Sequence, residues 1–150
     1  MIKNIGVFKD FSDDSIKSVF DVGNNRIIEM TLLANKEEID VVCVPTHHFC
    51  NMGCVMCHLT NKGLNKSMVP IKSDDFIECL MQTLTKQGKK RTSKKKLLIS
   101  FMGVGEPLLN LNLIEEVYKK ENLLREEFGY ESIGYALATM MPNKNILKLN

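Results

Sequence analysis

No apolar run in this chain of 150 residues approaches the length of ~20 needed to cross a bilayer. The opening residues, Met1-Ile2-Lys3-Asn4-Ile5-Gly6, lead into charged positions without the apolar core of a signal peptide. The expectation from both absences is a soluble cytoplasmic protein with no membrane partner. Proline is scarce at four residues, aromatics make up only 7%, and no internal repeat or low-complexity segment stands out beyond one lysine run. With nine glycines, 44% hydrophobic and 25% charged residues, the balance excludes collagen, coiled coil and wholesale disorder. The length suits one domain with a sizeable core. Net charge is also small, at +2, but it is unevenly placed. Lys86, Lys89, Lys90, Arg91, Lys94, Lys95 and Lys96 hold seven of the twenty basic residues, and the other thirteen face eighteen acids.

Five cysteines is an odd number, and Cys50, Cys54 and Cys57 crowd together. A secreted disulfide scaffold spreads its cysteines and carries a signal sequence. Clustered thiols without one read as metal ligands kept reduced in the cytosol.

The order of elements follows from periodicity. Residues 1–25 are weakly patterned, with Ser12-Asp13-Asp14-Ser15 as a helix start and Gly23-Asn24-Asn25 as a turn. From Arg26 to Leu33, Ile28, Met30 and Leu32 alternate with Glu29 and Thr31, the period of a half-buried strand. A polar turn at Asn35-Lys36-Glu37 leads to a second strand, Ile39 to Val44, closing a hairpin that ends at Pro45. After the cysteine loop, Ser73 caps a helix with Ile77, Leu80, Met81 and Leu84 on one stripe and Gly88 as its stop. Leu97 to Met102 is a short apolar strand, and Gly103-Val104-Gly105-Glu106-Pro107 is irregular. Asn112 caps a second helix with Glu115 as box-like partner and Ile114, Val117 and Tyr118 as its apolar stripe. A further strand spans Ile133 to Leu137, and a helix begins within Asn143 to Leu149. Alternating strands and helices predict an α/β fold of parallel βα units, preceded by a short β-hairpin. Chemistry in such folds gathers at the carboxyl ends of the strands, where the cysteine loop and Gly103–Pro107 both fall.

Cys50-Asn51-Met52-Gly53-Cys54-Val55-Met56-Cys57 has the spacing C-x₃-C-x₂-C. Three thiolates on so short a loop converge on one point, and Gly53 eases the wrap. An iron–sulfur cube ordinarily takes four cysteines, so three leave one iron open to an exogenous ligand. A closed zinc site with His47, His48 or His58 as fourth ligand is the alternative, although short zinc sites draw ligands from two knuckles. The histidines otherwise read as polar loop residues, and Cys79 as helix packing.

The cysteine spacing resembles the signature of radical S-adenosylmethionine (SAM) enzymes. That resemblance implies a [4Fe–4S] cluster on Cys50, Cys54 and Cys57, with SAM at the open iron and Met56 packing near adenine. It also implies reductive cleavage of the sulfonium to a 5′-deoxyadenosyl radical by an electron from a donor such as flavodoxin or ferredoxin. Ser100-Phe101-Met102-Gly103-Val104-Gly105-Glu106-Pro107-Leu108-Leu109-Asn110 further resembles the glycine–glutamate–proline loop of the ribosomal RNA adenine C2/C8 methyltransferases. On its own that loop reads as a tight turn. Within the family, Gly105 and Glu106 become SAM-binding residues, with Glu106 as acceptor for the cationic amino group. Asn61 to Lys66 is similar to the family's stretch after the cluster loop. Cys43, seven residues before Cys50, matches a second redox-active cysteine, and Glu29 resembles a general-base glutamate. Their structural alternatives are an ordinary strand thiol and a solvent-facing strand residue. The lysine run 86–96 suits either RNA phosphates or a solvated connection.

The match covers residues 26–150, leaving 1–25 as an amino-terminal extension. It implies about half of a radical SAM barrel and a partner half supplying the remainder, including the downstream methyl-accepting cysteine. Residues 136–142 depart from the family's serine-rich segment, with Ala138 and Met140 where hydroxyls are expected. The readings carried forward are a truncated radical SAM domain directed at ribosomal RNA, one directed at transfer RNA or another substrate, and a non-catalytic iron–sulfur or zinc module.

Overall fold

The computed structural model describes residues 2–33, 38–63, 66–85 and 96–141. The turn expected at residues 35–37, the helix stop at Gly88, the lysine run up to residue 95 and the final helix lie outside them. The described elements form one six-stranded sheet whose spatial order follows the chain. Strands β1 (Lys3–Lys9), β2 (Ile16–Asp21), β3 (Ile27–Leu33) and β4 (Ile39–Val44) pair antiparallel, and β5 (Lys96–Phe101) and β6 (Ser132–Leu137) continue the sheet in parallel.

Helix α1 (His58–Asn61) follows the cysteine loop, and α2 (Ser73–Thr85) makes the crossover from β4 to β5. A single 3₁₀ turn (Pro107–Leu109), then α3 (Leu111–Lys119) and α4 (Glu121–Phe128), connect β5 to β6. The parallel βα units and the hairpin are therefore present as read. The hairpin is longer than expected, because residues 3–21 add two strands to it. Ser12–Ser15 lies in their connection and starts no helix. Its side chains serve the turn: Asp10 Oδ1 accepts from Ser12 N at 2.8 Å, and Asp13 Oδ1 accepts from Ser15 N at 2.9 Å.

Period-two alternation decides which face each strand buries. Phe20, Ile28, Met30, Leu32, Val42, Val44, Leu97, Ile99 and Phe101 are sealed on the face covered by the helices. Against them α2 presents Phe76, Ile77, Leu80 and Leu84, and the rings of Phe76 and Phe101 stack at 5.9 Å between centroids. Cys79 is fully buried on α2, where desolvation pushes its thiol up to about 12, so it packs as a small apolar side chain. The expected stripe of the second helix shifts: Leu113 and Val117 are buried, while Tyr118 is 63% exposed. The start of that helix moves as well. Asn110 stands at its cap without a side-chain cap bond, and Asn112 lies inside it.

At the amino-terminal ends of the strands, Tyr130 donates its hydroxyl to Asp40 Oδ2 at 2.8 Å, with both residues buried. A carboxylate taken out of water is costly unless such donors meet it. Tyr130→Phe is expected to lower stability by about 1–3 kcal/mol, the cost of removing one partner of a buried polar pair. Urea unfolding followed by circular dichroism checks it, and an unchanged midpoint would refute the assignment. No helix among the described residues is long and apolar enough to cross a membrane.

Candidate functional site

Beyond Val44 the chain enters a buried stretch, Pro45 to His48, tied to three neighbouring segments. Thr46 N and His47 N both donate to Val104 O, at 3.0 and 3.2 Å, and His48 N donates to Val69 O at 2.9 Å. Asn110 Nδ2 donates to Thr46 O at 2.8 Å. The loop after β4 and the loop after β5 are thereby fastened to each other before the cysteines begin.

Cys50, Cys54 and Cys57 are half-buried free thiols. Cys57 N donates to Cys54 O at 2.9 Å, and Cys57 is the residue from which α1 starts. Gly53 has φ +66° with open space where a Cβ would stand, as a tight wrap requires. All three cysteines line one cavity of about 510 Å³, together with Met52, Met56 and Met102. Leu59, Gly103 to Glu106 and Ala138 to Met140 complete its walls. Among the described residues, no three histidine, cysteine or acidic side chains stand close enough to hold a metal ion as they are. The donor set nevertheless suits an iron–sulfur cluster: three unpaired thiols face one cavity on a loop that carries no strand or helix before Cys57.

Glu106 is 2% exposed and accepts from three donors. Its Oε1 accepts from Leu108 N at 3.0 Å, capping the 3₁₀ turn, and from Thr139 Oγ1 at 2.5 Å. Its Oε2 accepts from Met140 N at 2.9 Å. The carboxylate thus pins the segment after β6 to the glycine loop. The sequence reading marked Ala138 and Met140 as missing hydroxyls, but Thr139 between them supplies one. No spacing rule pointed to Thr139, because its partner lies on a different βα loop.

The two loop glycines admit the protein's own backbone and side chains. A Cβ on Gly103 would lie 2.8 Å from Pro45 N, and one on Gly105 would lie 2.5 Å from His47 Nδ1. Gly105 also has φ +103°. His47 and His48 are both buried, where polar loop positions were expected. His47 Nδ1 and Thr46 Oγ1 share a hydrogen bond of 2.9 Å, and His48 Nδ1 lies 3.2 Å from Ile27 O. Burial lowers the pKa of His47, an effect that the nearby Glu106 opposes.

Glu29 and Cys43 do not line the cavity. They occupy the sheet face turned away from the helices, with Cys43 opposite Thr31 on β3 and Ser100 on β5. Burial raises the Cys43 pKa and favours the thiol over the thiolate. Glu29 is exposed and receives Lys17 Nζ at 3.3 Å.

A crystal structure of a radical SAM methyltransferase from Sphaerobacter thermophilus matches 94% of this chain at a TM-score of 0.71 and 19% identity, over 40% of its own length. The two chains share one fold over that stretch.

Among curated proteins, the dual-specificity RNA methyltransferase RlmN of Campylobacter concisus is 30% identical over 124 residues, which is 75% of this chain and 31% of that protein. RlmN of Campylobacter curvus is 31% identical across 81% of the chain, and a probable RlmN of Desulforamulus reducens is 29% identical across 91%. No protein-family profile matches the chain. The resemblance drawn from the cysteine and glycine–glutamate–proline motifs holds, and the chain spans about a third of the length of these relatives.

Proposed function

We propose that this chain is the cluster- and cofactor-binding part of a radical SAM methyltransferase that acts on RNA in the cytoplasm. One observation carries the reading: Cys50, Cys54, Cys57, Gly105 and Glu106 wall a single cavity at the carboxyl ends of the parallel strands. Cys50, Cys54 and Cys57 would hold a [4Fe–4S] cluster, which when bound supplies one-electron reduction to the sulfonium of SAM. Glu106 Oε2, with Met140 N as its one donor among the described residues, has lone-pair capacity for the cofactor's ammonium group. The thioethers of Met56 and Met102 give the same cavity an apolar wall for a nucleoside. Glu29 and Cys43 lie on the adjoining face, where a general base and a second thiol would meet a substrate.

The RNA specificity rests on the likeness to the RlmN proteins, which are named as dual-specificity RNA methyltransferases. A flavodoxin or ferredoxin would supply the electron. Electron paramagnetic resonance of the anaerobically reconstituted, reduced protein tests this reading. The expected result is a four-iron signal that changes when SAM is added. A cluster indifferent to SAM would replace the reading with an electron-transfer module, and zinc in place of iron would replace it with a structural site.

A further inference from the structure

Among the described residues no lysine or arginine pairs with Glu106, and its three donors, Leu108 N, Thr139 Oγ1 and Met140 N, are all neutral. A carboxylate out of water without a counter-charge is costly, so a cation is welcome at whichever of its oxygens has room. Oε1 accepts from two donors and Oε2 from one, which leaves the opening at Oε2. Glu106 and Thr139 both line the cavity that the three cysteines share.

Thr139 decides how that carboxylate is turned. Ala138 N donates to Phe101 O at 3.1 Å, so the β5–β6 pairing runs one residue past Leu137 and delivers Thr139 beside the loop after β5. Its hydroxyl has a single proton, and Met141 N already donates to the same oxygen at 2.9 Å. The hydroxyl proton is therefore left for Glu106 Oε1, at 2.5 Å, a separation typical of O–H donation to a charged oxygen. Leu108 N and Thr139 Oγ1 thus hold Oε1 from two loops, and turning the carboxylate breaks both bonds. A non-glycine residue with a left-handed backbone marks the same segment, since Met141 has φ +49°.

We propose that Thr139 is a positioning residue for the cofactor: it fixes Glu106 Oε1 so that Oε2 is presented to the ammonium group, on the reading above that SAM occupies this cavity. Ala138 and Met140 bring no hydroxyl, so Thr139 alone performs this task on the segment between them. It acts through Glu106 and not on the reacting atoms.

Two ligands that differ only in the amino group test the assignment: S-adenosylhomocysteine and its deamino counterpart, S-adenosyl-4-thiobutyrate. Isothermal titration of the anaerobically reconstituted full chain gives both affinities for the wild type, Thr139→Val and Thr139→Ser. Thr139→Val keeps the branched shape and removes the hydroxyl. It is expected to weaken S-adenosylhomocysteine about tenfold, the order of one hydrogen bond to a charged group, and to change the deamino ligand by less than about twofold. Thr139→Ser is expected to stay within about twofold of the wild type for both ligands. Equal loss of both ligands in Thr139→Val would make the residue merely structural and overturn the proposal, as would a serine variant that fails to restore binding. Wild-type affinity of Thr139→Val for S-adenosylhomocysteine would remove Thr139 from the site and leave the cofactor reading standing. A wild type that binds neither ligand would bring down the cofactor reading, and the role of Thr139 with it.

Discussion

Gly105→Ala is expected to destabilise the protein by about 2–5 kcal/mol and to abolish SAM binding at concentrations that saturate the wild type. Two independent costs add. A non-glycine residue at φ +103° carries backbone strain of order 1–3 kcal/mol. The new methyl group would also stand 2.5 Å from His47 Nδ1 and 2.7 Å from His47 Cβ. The second of these atoms belongs to the root of the side chain and cannot swing aside, so the overlap costs a further ~1–3 kcal/mol. Relief by moving the loop would drag Val104 away from the Thr46 and His47 amides and disturb the capped Glu106. Denaturant unfolding measures the first effect and equilibrium dialysis with labelled SAM the second. Combining Gly105→Ala with His47→Ala should recover only the overlap made with the imidazole ring, because alanine keeps Cβ, and should leave the Cβ contact and the strain. A Gly105→Ala protein with wild-type stability and SAM affinity would show that the loop has another path.

Cys54→Ala is expected to remove the cluster altogether, with iron and sulfide per chain falling to background after anaerobic reconstitution. Two thiolates on one loop leave a four-iron cluster half-ligated, and Cys43 and Cys79 are not placed to replace the third. Cys79 is sealed beneath α2, and Cys43 points from the open face of β4 without lining the cavity. Cys43→Ala should accordingly retain wild-type iron content. A four-iron absorbance in the Cys54→Ala protein would withdraw the assignment of Cys50, Cys54 and Cys57 as the ligand set.

The part of this fold that period-two or helical spacing governs was legible in the residues. Ile28, Met30 and Leu32 face the core as their alternation requires, and β4, α2, β5 and β6 fall where expected. Strands β1 and β2 were not, because β1 is an edge strand with no apolar face to bury and the burial of β2 includes a serine, Ser18. Their turn misled for a chemical reason: serine and aspartate satisfy backbone N–H groups equally well at a helix start and in a tight connection. The division of the second helix between Lys119 and Glu121 carries neither glycine nor proline to announce it. In the site, the thiol spacing and the glycine–glutamate–proline loop are local patterns and could be read directly. The burial of His47 and the Thr139 hydrogen bond to Glu106 are made by loops brought together across the sheet, which no window of neighbouring residues contains.

The reversal of strand sense at β4 also sets an order of assembly. The antiparallel strands β1 to β3 meet through connections of a few residues, whose closure costs little entropy. Strand β5 must await the whole passage from Val44 to Lys96, and β6 a second such passage. Loop-closure entropy therefore favours the antiparallel strands forming first and the cavity last, since its walls come from both sides of those long closures. A nascent chain would close its antiparallel strands well before it could grip a cofactor.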